Sequence, residues 1–375
     1  MNRASARPGI ALIGVVLAML VVEAAIAAAL YVALQERLAT GATVLRERAR
    51  LAAESGVAAT LAGWDADAAA ALEIDGDLES AAGPSPGGGR MVTRVERTGP
   101  SGFRIVAHGT VDGASGVAAA ATATALLQTY PPAALGLAFP AAVTGMTAVE
   151  VGGAADVTGA SAAPSHGGCA TDADSIMSAA IGGPGPAIAI PPAATAALAP
   201  DGAVVGAPPI HRSAVGTDSS AFASLAGLSI PMLAALADRT ESGSLTLTPS
   251  ALADVCDVGA PGNWGAPASP EHPCSRYAPL VFAPGDLTLV AGDGQGVLVV
   301  AGNLAVDSAS TFHGGILVLG TAHIAGRVIG GIRVAGRIRI DGEVRHDGCA
   351  LWRATVHSPA LAGPYRPRRW RLPGS

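Results

Sequence analysis

Few residues in this sequence have types and spacing that suggest chemistry. Ser165-His166-Gly167-Gly168-Cys169 places two kinds of nucleophile beside an imidazole. Acyl transfer needs nucleophile and base to converge in space, and chain neighbours rarely supply that geometry. No catalysis is expected there. A phosphate-binding loop is excluded, because the chain has no lysine and the Gly-Lys-Ser/Thr signature requires one. The eight histidines include no His-x-x-x-His pair. Asp286, Asp293, Asp307 and Asp341 fall where corners are expected, and there they either bind calcium or, more simply, solvate turns. Arg333, Arg337 and Arg339 form a basic group with no acids in line with them. The expectation is a chain that is not an enzyme and holds no cofactor and no metal.

Cys169, Cys256, Cys274 and Cys349 remain. They lack the Cys-x-x-Cys spacing of a zinc site, and an even number in an exported chain suggests disulfides, with three possible connectivities. Cys256 and Cys274 bracket a loop with Trp264 and four prolines, which is expected to be closed by a bridge. Cys169 and Cys349 are the expected second pair, and free structural thiols are the alternative.

The elements that position these residues begin with a membrane segment. Ile10 to Leu34 is apolar except for Glu23. At 1.5 Å per residue it crosses a hydrocarbon core of about 30 Å with some tilt. Its thirteen Leu, Ile and Val residues outweigh one carboxylate, at roughly 0.3–0.6 kcal/mol each against about 3 kcal/mol. Glu23 either packs against another helix or sits near one leaflet. Arginines flank the run on both sides, so charge does not set its orientation; the Gly-rich, Cys-bearing remainder places the N-terminus in the cytoplasm. A cleaved secretory signal ending near Ala27-Ala28-Ala29 is the competing reading. Against it, residues 35–62 have no proline and carry a seam at Leu38, Leu45, Ala52 and Ala59, a spacing of seven. Ile10 to Ala62 thus reads as one helix of about 80 Å.

Several residues in this stretch resemble a known family. A basic leader ends in Gly9, Ile-Ala-Leu-Ile starts at Ile10, Gln35-Glu36-Arg37 follows the membrane, and Arg50-Leu51-Ala52-Ala53-Glu54-Ser55-Gly56 comes later. This resembles the N-terminal region of PilX-type type IV pilus assembly proteins over roughly the first 60 residues. The resemblance implies cleavage by prepilin peptidase between Gly9 and Ile10. It also implies partners among other pilin-like subunits or the inner-membrane pilus platform. Major pilins carry Glu at the fifth mature position, where this chain has Gly14, so the resemblance implies an accessory subunit.

The rest of the chain is expected to be mainly β, which makes the fold class mainly β with one long N-terminal α-helix. Residues 63–89 read as a linker ending in Gly83-Pro84-Ser85-Pro86-Gly87-Gly88-Gly89. Residues 90–130 read as a small antiparallel meander, with strands at 91–97 and 103–108 and an Ala/Thr-rich strand or helix at 117–128. Residues 131–278 read as irregular, with short helices on either side of Pro231 and a strand near 244–248. Residues 279–357 hold the clearest repeat. Glycines 285, 302, 320 and 336 recur, each after a mostly apolar tetrad and before alternating positions. This predicts a short β-solenoid, with Val300, Val318 and Val334 stacked inside; an antiparallel meander is the alternative. Residues 358–375 are a tail.

Aromatics make up 3% of the chain and the net charge is −6, so no clustered basic face offers a nucleic-acid footprint. The expectation is a single-pass protein of the inner (cytoplasmic) membrane with its bulk outside the cytoplasm, acting as a pilus assembly or minor-pilin-like structural protein. The rivals are a tethered surface binding or adhesion module and a β-helical polysaccharide-active enzyme.

Overall fold

A computed structural model of the chain describes residues 8–363 except 66–67, 70–71, 81–82, 87, 100, 113–117, 130–137, 160–184, 215–216 and 218. The chain divides into two compact units. The first holds a helix, α1 (Pro8–Ala62), and most of a five-stranded sheet. Its strands are β1 (Asp77–Glu79), β2 (Gly83–Pro84), β3 (Arg90–Arg97), β4 (Gly102–Asp112) and β5 (Ala118–Gln128). β1 and β2 both pair antiparallel with β3, so residues 63–89 are more than a linker. The Ala/Thr-rich stretch is the strand β5, not a helix.

β4 alternates buried and exposed residues along its length, the pattern of a sheet with one covered face. The cover is the last turns of α1, where Ala49, Ala52, Ala53 and Gly56 are buried. The predicted seam is half right. Leu45 and Ala52 face inward, but Leu38 and Ala59 are exposed. Leu38 lies in the uncovered part of the helix, and around Ala52 contact follows the 3.6-residue period, through Ala49, Ala53 and Gly56, rather than a strict seven. Helix and sheet meet closely because the touching residues are small. A Cβ on Gly109 would lie 2.2 Å from the Ala49 carbonyl oxygen, and one on Gly56 would lie 2.9 Å from the Thr93 methyl.

The second unit is a curled parallel sheet. Leu287–Val300 runs parallel to Leu304–Val318, which runs parallel to Ala322–Ile324 and Arg327–Val334, and these to Arg337–Ile340 and Glu343–His346. The pairing is parallel, which excludes the antiparallel meander. Val300 lies opposite Val318 and Val318 opposite Val334, all fully buried. The unequal repeat has one source. Between matched strands the third corner holds 290–292 in one layer, 307–310 in the next, then 325–326 and 341–342. Every other segment keeps its length, so the register survives.

Three of the four tetrads are wholly apolar because both of their faces are covered, and the last carries Arg333. Leu298 and Val300 join the interior cluster, while Val297 and Val299 join a second cluster outside it. That outer cluster includes Phe222 of α2 (Ser219–Phe222), Leu233 of α3 (Ile230–Leu236), Leu351 of α4 (Gly348–Val356) and Leu361 of α5 (Pro359–Ala362). Pro231 sits in the first turn of α3 rather than between two helices, where its missing N–H costs nothing. α4 ends the strand repeat at His346, and α5 falls in the expected tail.

The region expected to be irregular, 131–278, extends the same sheet. Val143–Gly145, Ala148–Val151 and Asp156–Thr158 pair parallel with 332–334, 337–340 and 343–345. Ile188–Ile190, Thr195–Leu198 and Ala203–Val205 follow, then Ile210–Arg212. Arg239–Thr240 and Gly243–Thr246 lie at the opposite end, against 281–282 and 287–291. The chain therefore lays down one end of the stack, crosses to the other, and returns so that its last layer docks on its first.

Candidate functional site

Two surfaces stand out. The first is the N-terminal part of α1, where every residue from Gly14 to Gly41 is exposed, including Val15, Leu17, Leu20, Ile26 and Leu30. The helix is long and apolar enough to cross a membrane. Glu23 is exposed within this run, and Gly9 and Ile10 fall in the first turn of α1.

The second surface is a groove of about 790 Å³ on the outside of the curled sheet. Its floor is the outward side of the alternating strands. Thr288, Ala305, His323, Arg339 and Glu150 are matched in register across five successive layers. Inward neighbours such as Leu289, Val306, Ile324 and Ile340 are buried. One wall is a polar ladder at the glycine corner. The Asn303 backbone N–H and side-chain amide donate to Asp286 Oδ1 at 2.8 and 3.0 Å. Asn303 Oδ1 in turn accepts from the N–H and hydroxyl of Thr321 at 2.9 and 2.8 Å. This ladder engages one oxygen of Asp286, Oδ1, with protein donors.

At the other side, His323 Nε2 lies 2.8 Å and Arg339 Nε 2.7 Å from Asp341 Oδ2. The Arg339 hydrogen bond, helped by that of His323, holds the Asp341 carboxyl below the usual carboxylate range. Arg337 Nε is 3.6 Å from Glu150. The expectation that these arginines lack aligned acids is thus corrected. Glu150 was invisible as a partner because it reaches Arg339 and Arg337 only through a strand pairing between distant parts of the chain. Arg333 does not belong to this group. It is 5% exposed, beneath the outer helices, with its guanidinium 5.1 Å from the Phe222 ring centroid and donating to the Ala138 carbonyl. Burial lowers its pKa to about 10.

Two more histidines are withdrawn from solvent, His313 half-buried and His346 buried. Desolvation pushes His313 down to about 4, leaving it neutral at pH 7. His346 Nε2 lies 3.0 Å from the Phe139 carbonyl oxygen, and burial lowers its pKa too.

Cys256 and Cys274 are disulfide-bonded across the Trp264 loop. Cys349 is disulfide-bonded as well. Cys169, with the whole Ser165–Cys169 segment, lies outside the described residues. Among the described residues no three His, Cys, Asp or Glu side chains cluster as a metal site.

The corner glycines stack as expected; a Cβ on Gly320 would lie 2.5 Å from the Gly302 carbonyl oxygen. A second column, Gly296, Gly314 and Gly330, escaped the sequence reading. Its φ values are +124°, +129° and +138°, and Cβ atoms at Gly314 and Gly330 would each sit 2.0 Å from the carbonyl oxygen of the glycine one layer away. The signal was present as Gly-Gly pairs at 314–315 and 330–331, spaced like the repeat.

No protein-family model, curated protein or solved structure matches this chain.

Proposed function

We propose that this protein is a membrane-anchored, non-catalytic subunit of a type IV pilus-type assembly, of the PilX or minor-pilin kind. The observation that carries the reading is the division of labour along α1. Its apolar first part is uncovered, and its last turns are seated on an antiparallel-paired sheet through Ala49, Ala52, Ala53 and Gly56. A spine that is both anchor and core helix of a small head is the pilin arrangement. In this reading α1 crosses the inner membrane once with the bulk of the chain outside the cytoplasm, and the curled sheet is a β-solenoid presented by the head. Its partners are other pilin-like subunits or the inner-membrane platform.

Glu23 gives the test. A carboxylate at the centre of a spanning helix costs about 3 kcal/mol against lipid, so it is expected to face a protein helix. A photo-crosslinking residue at Glu23, irradiated in native membranes, is expected to give adducts with pilin-type subunits. Adducts with lipid alone would contradict the assembly reading. A second reading, a surface binding module, is favoured by one observation, the polar groove.

A further inference from the structure

We propose that the groove is a binding site for an extended, neutral, hydroxyl-rich chain, an oligosaccharide of about four rings lying along the axis of the stack. The proposal rests on the curled sheet alone and does not depend on the pilus reading.

The first argument is shape. The lining runs from Asp286 and Thr288 in one layer through Asn303, Thr321 and Arg337 to Thr147, so that five successive layers contribute. At about 4.8 Å per layer the groove is roughly 19 Å long. That spacing is close to the advance of one pyranose ring in an extended chain, so successive rings meet equivalent positions. The volume, about 790 Å³, lies within the range of ordinary ligand sites.

The second argument is chemistry. Two planar hydrogen-bonding groups of the lining, on Asp286 and Asn303, are held in place. The carboxylate of Asp286 is fixed through one oxygen by Asn303, and its other oxygen has no partner among the described residues. The amide of Asn303 is fixed between Asp286 and Thr321. Arg337 is only loosely engaged, at 3.6 Å from Glu150. Fixed donor and acceptor pairs of this kind suit vicinal hydroxyls, since little side-chain entropy is lost on binding.

The third argument is exclusion. Arg339 is paired with Asp341 and the lining itself carries the Asp286 carboxylate, so an acidic polymer or a nucleic acid meets negative charge beside the single loosely held Arg337. The lining contains no Phe, Tyr or Trp, so bases have no stacking platform. An extended peptide gains most from an open strand edge, and this is a face whose backbone groups are engaged in the parallel ladder.

The test is calorimetric titration of the full chain, held in a detergent without a sugar headgroup. The probes are cellotetraose, chitotetraose, the corresponding disaccharides and tetragalacturonate. At least one neutral tetramer is expected to bind, with its disaccharide at least tenfold weaker. Thr288→Trp, which puts a bulky side chain on the half-buried floor, is expected to weaken binding more than tenfold, and Arg337→Gln about tenfold. Arg327→Gln, on a different strand and paired with Glu343, should leave binding unchanged. Circular dichroism of each variant separates a lost site from a lost fold. Tighter binding of tetragalacturonate than of every neutral tetramer would overturn the proposal. So would neutral binding indifferent to Thr288→Trp, or no binding of any tetramer. A chain that binds the tetramer but keeps residues 1–9 would overturn the pilus reading and leave this one standing.

Discussion

Val318→Asp is expected to unfold the curled sheet. Val318 is fully buried between Val300 and Val334, with a layer on each side. A carboxylate there has neither water nor a cation within reach, and a buried unpaired charge costs several kcal/mol. That is a large share of the roughly 5–15 kcal/mol that holds a typical domain together. The stacked layers also depend on their neighbours, so loss in the middle propagates to both sides. Thr321→Asp is the matched control, three residues away and exposed. It removes the hydroxyl bond to Asn303 Oδ1 and brings a carboxylate near that oxygen, a loss of about 1 kcal/mol. Urea titration followed by circular dichroism separates the two. Equal midpoints for both variants would show that Val318 is not an interior position.

Gly109→Ala is expected to detach α1 from its sheet. The new methyl would sit 2.2 Å from the Ala49 carbonyl oxygen and 2.5 Å from the Ala53 nitrogen. Both are helix backbone atoms, so no side-chain rotation relieves the clash. Overpacking of this kind costs about 1–3 kcal/mol, and this helix-sheet contact is built of alanines and glycines that bury little area to resist it. Gly83→Ala, with nothing within 4 Å of the new methyl, should be near neutral. Limited proteolysis of the full chain checks this, with faster cutting after Arg48 and Arg50 expected only in the Gly109 variant. Equal cutting in both variants would mean that the close approach is not what holds the helix.

How much of this was legible follows from the range of each interaction. The helix, the tetrads, the corner glycines and the Val300–Val318–Val334 column could be read, because periodicity is local and a parallel stack repeats it. The Cys256–Cys274 bridge could be read from the loop it encloses. The layers at 143–212 could not. Their strands are three or four residues long, too short to show a period, and they are placed by pairing with the C-terminal layers. The groove was illegible for the same reason. Its arginines were visible, but Glu150 is brought to them by tertiary pairing alone. The α1 seam failed in part because a seven-residue spacing was extended past the contact that it describes.

The central claim is that α1 is a processed pilin-type anchor, and the mature N-terminus tests it most directly. The protein is expressed with a prepilin peptidase, recovered from membranes, and its intact mass and N-terminal peptide are measured. The account predicts a chain beginning at Ile10, and retention of residues 1–9 when Gly9 is replaced by Leu. A chain that begins at residue 1 despite the peptidase, or near Leu30 as after a secretory signal, would contradict it.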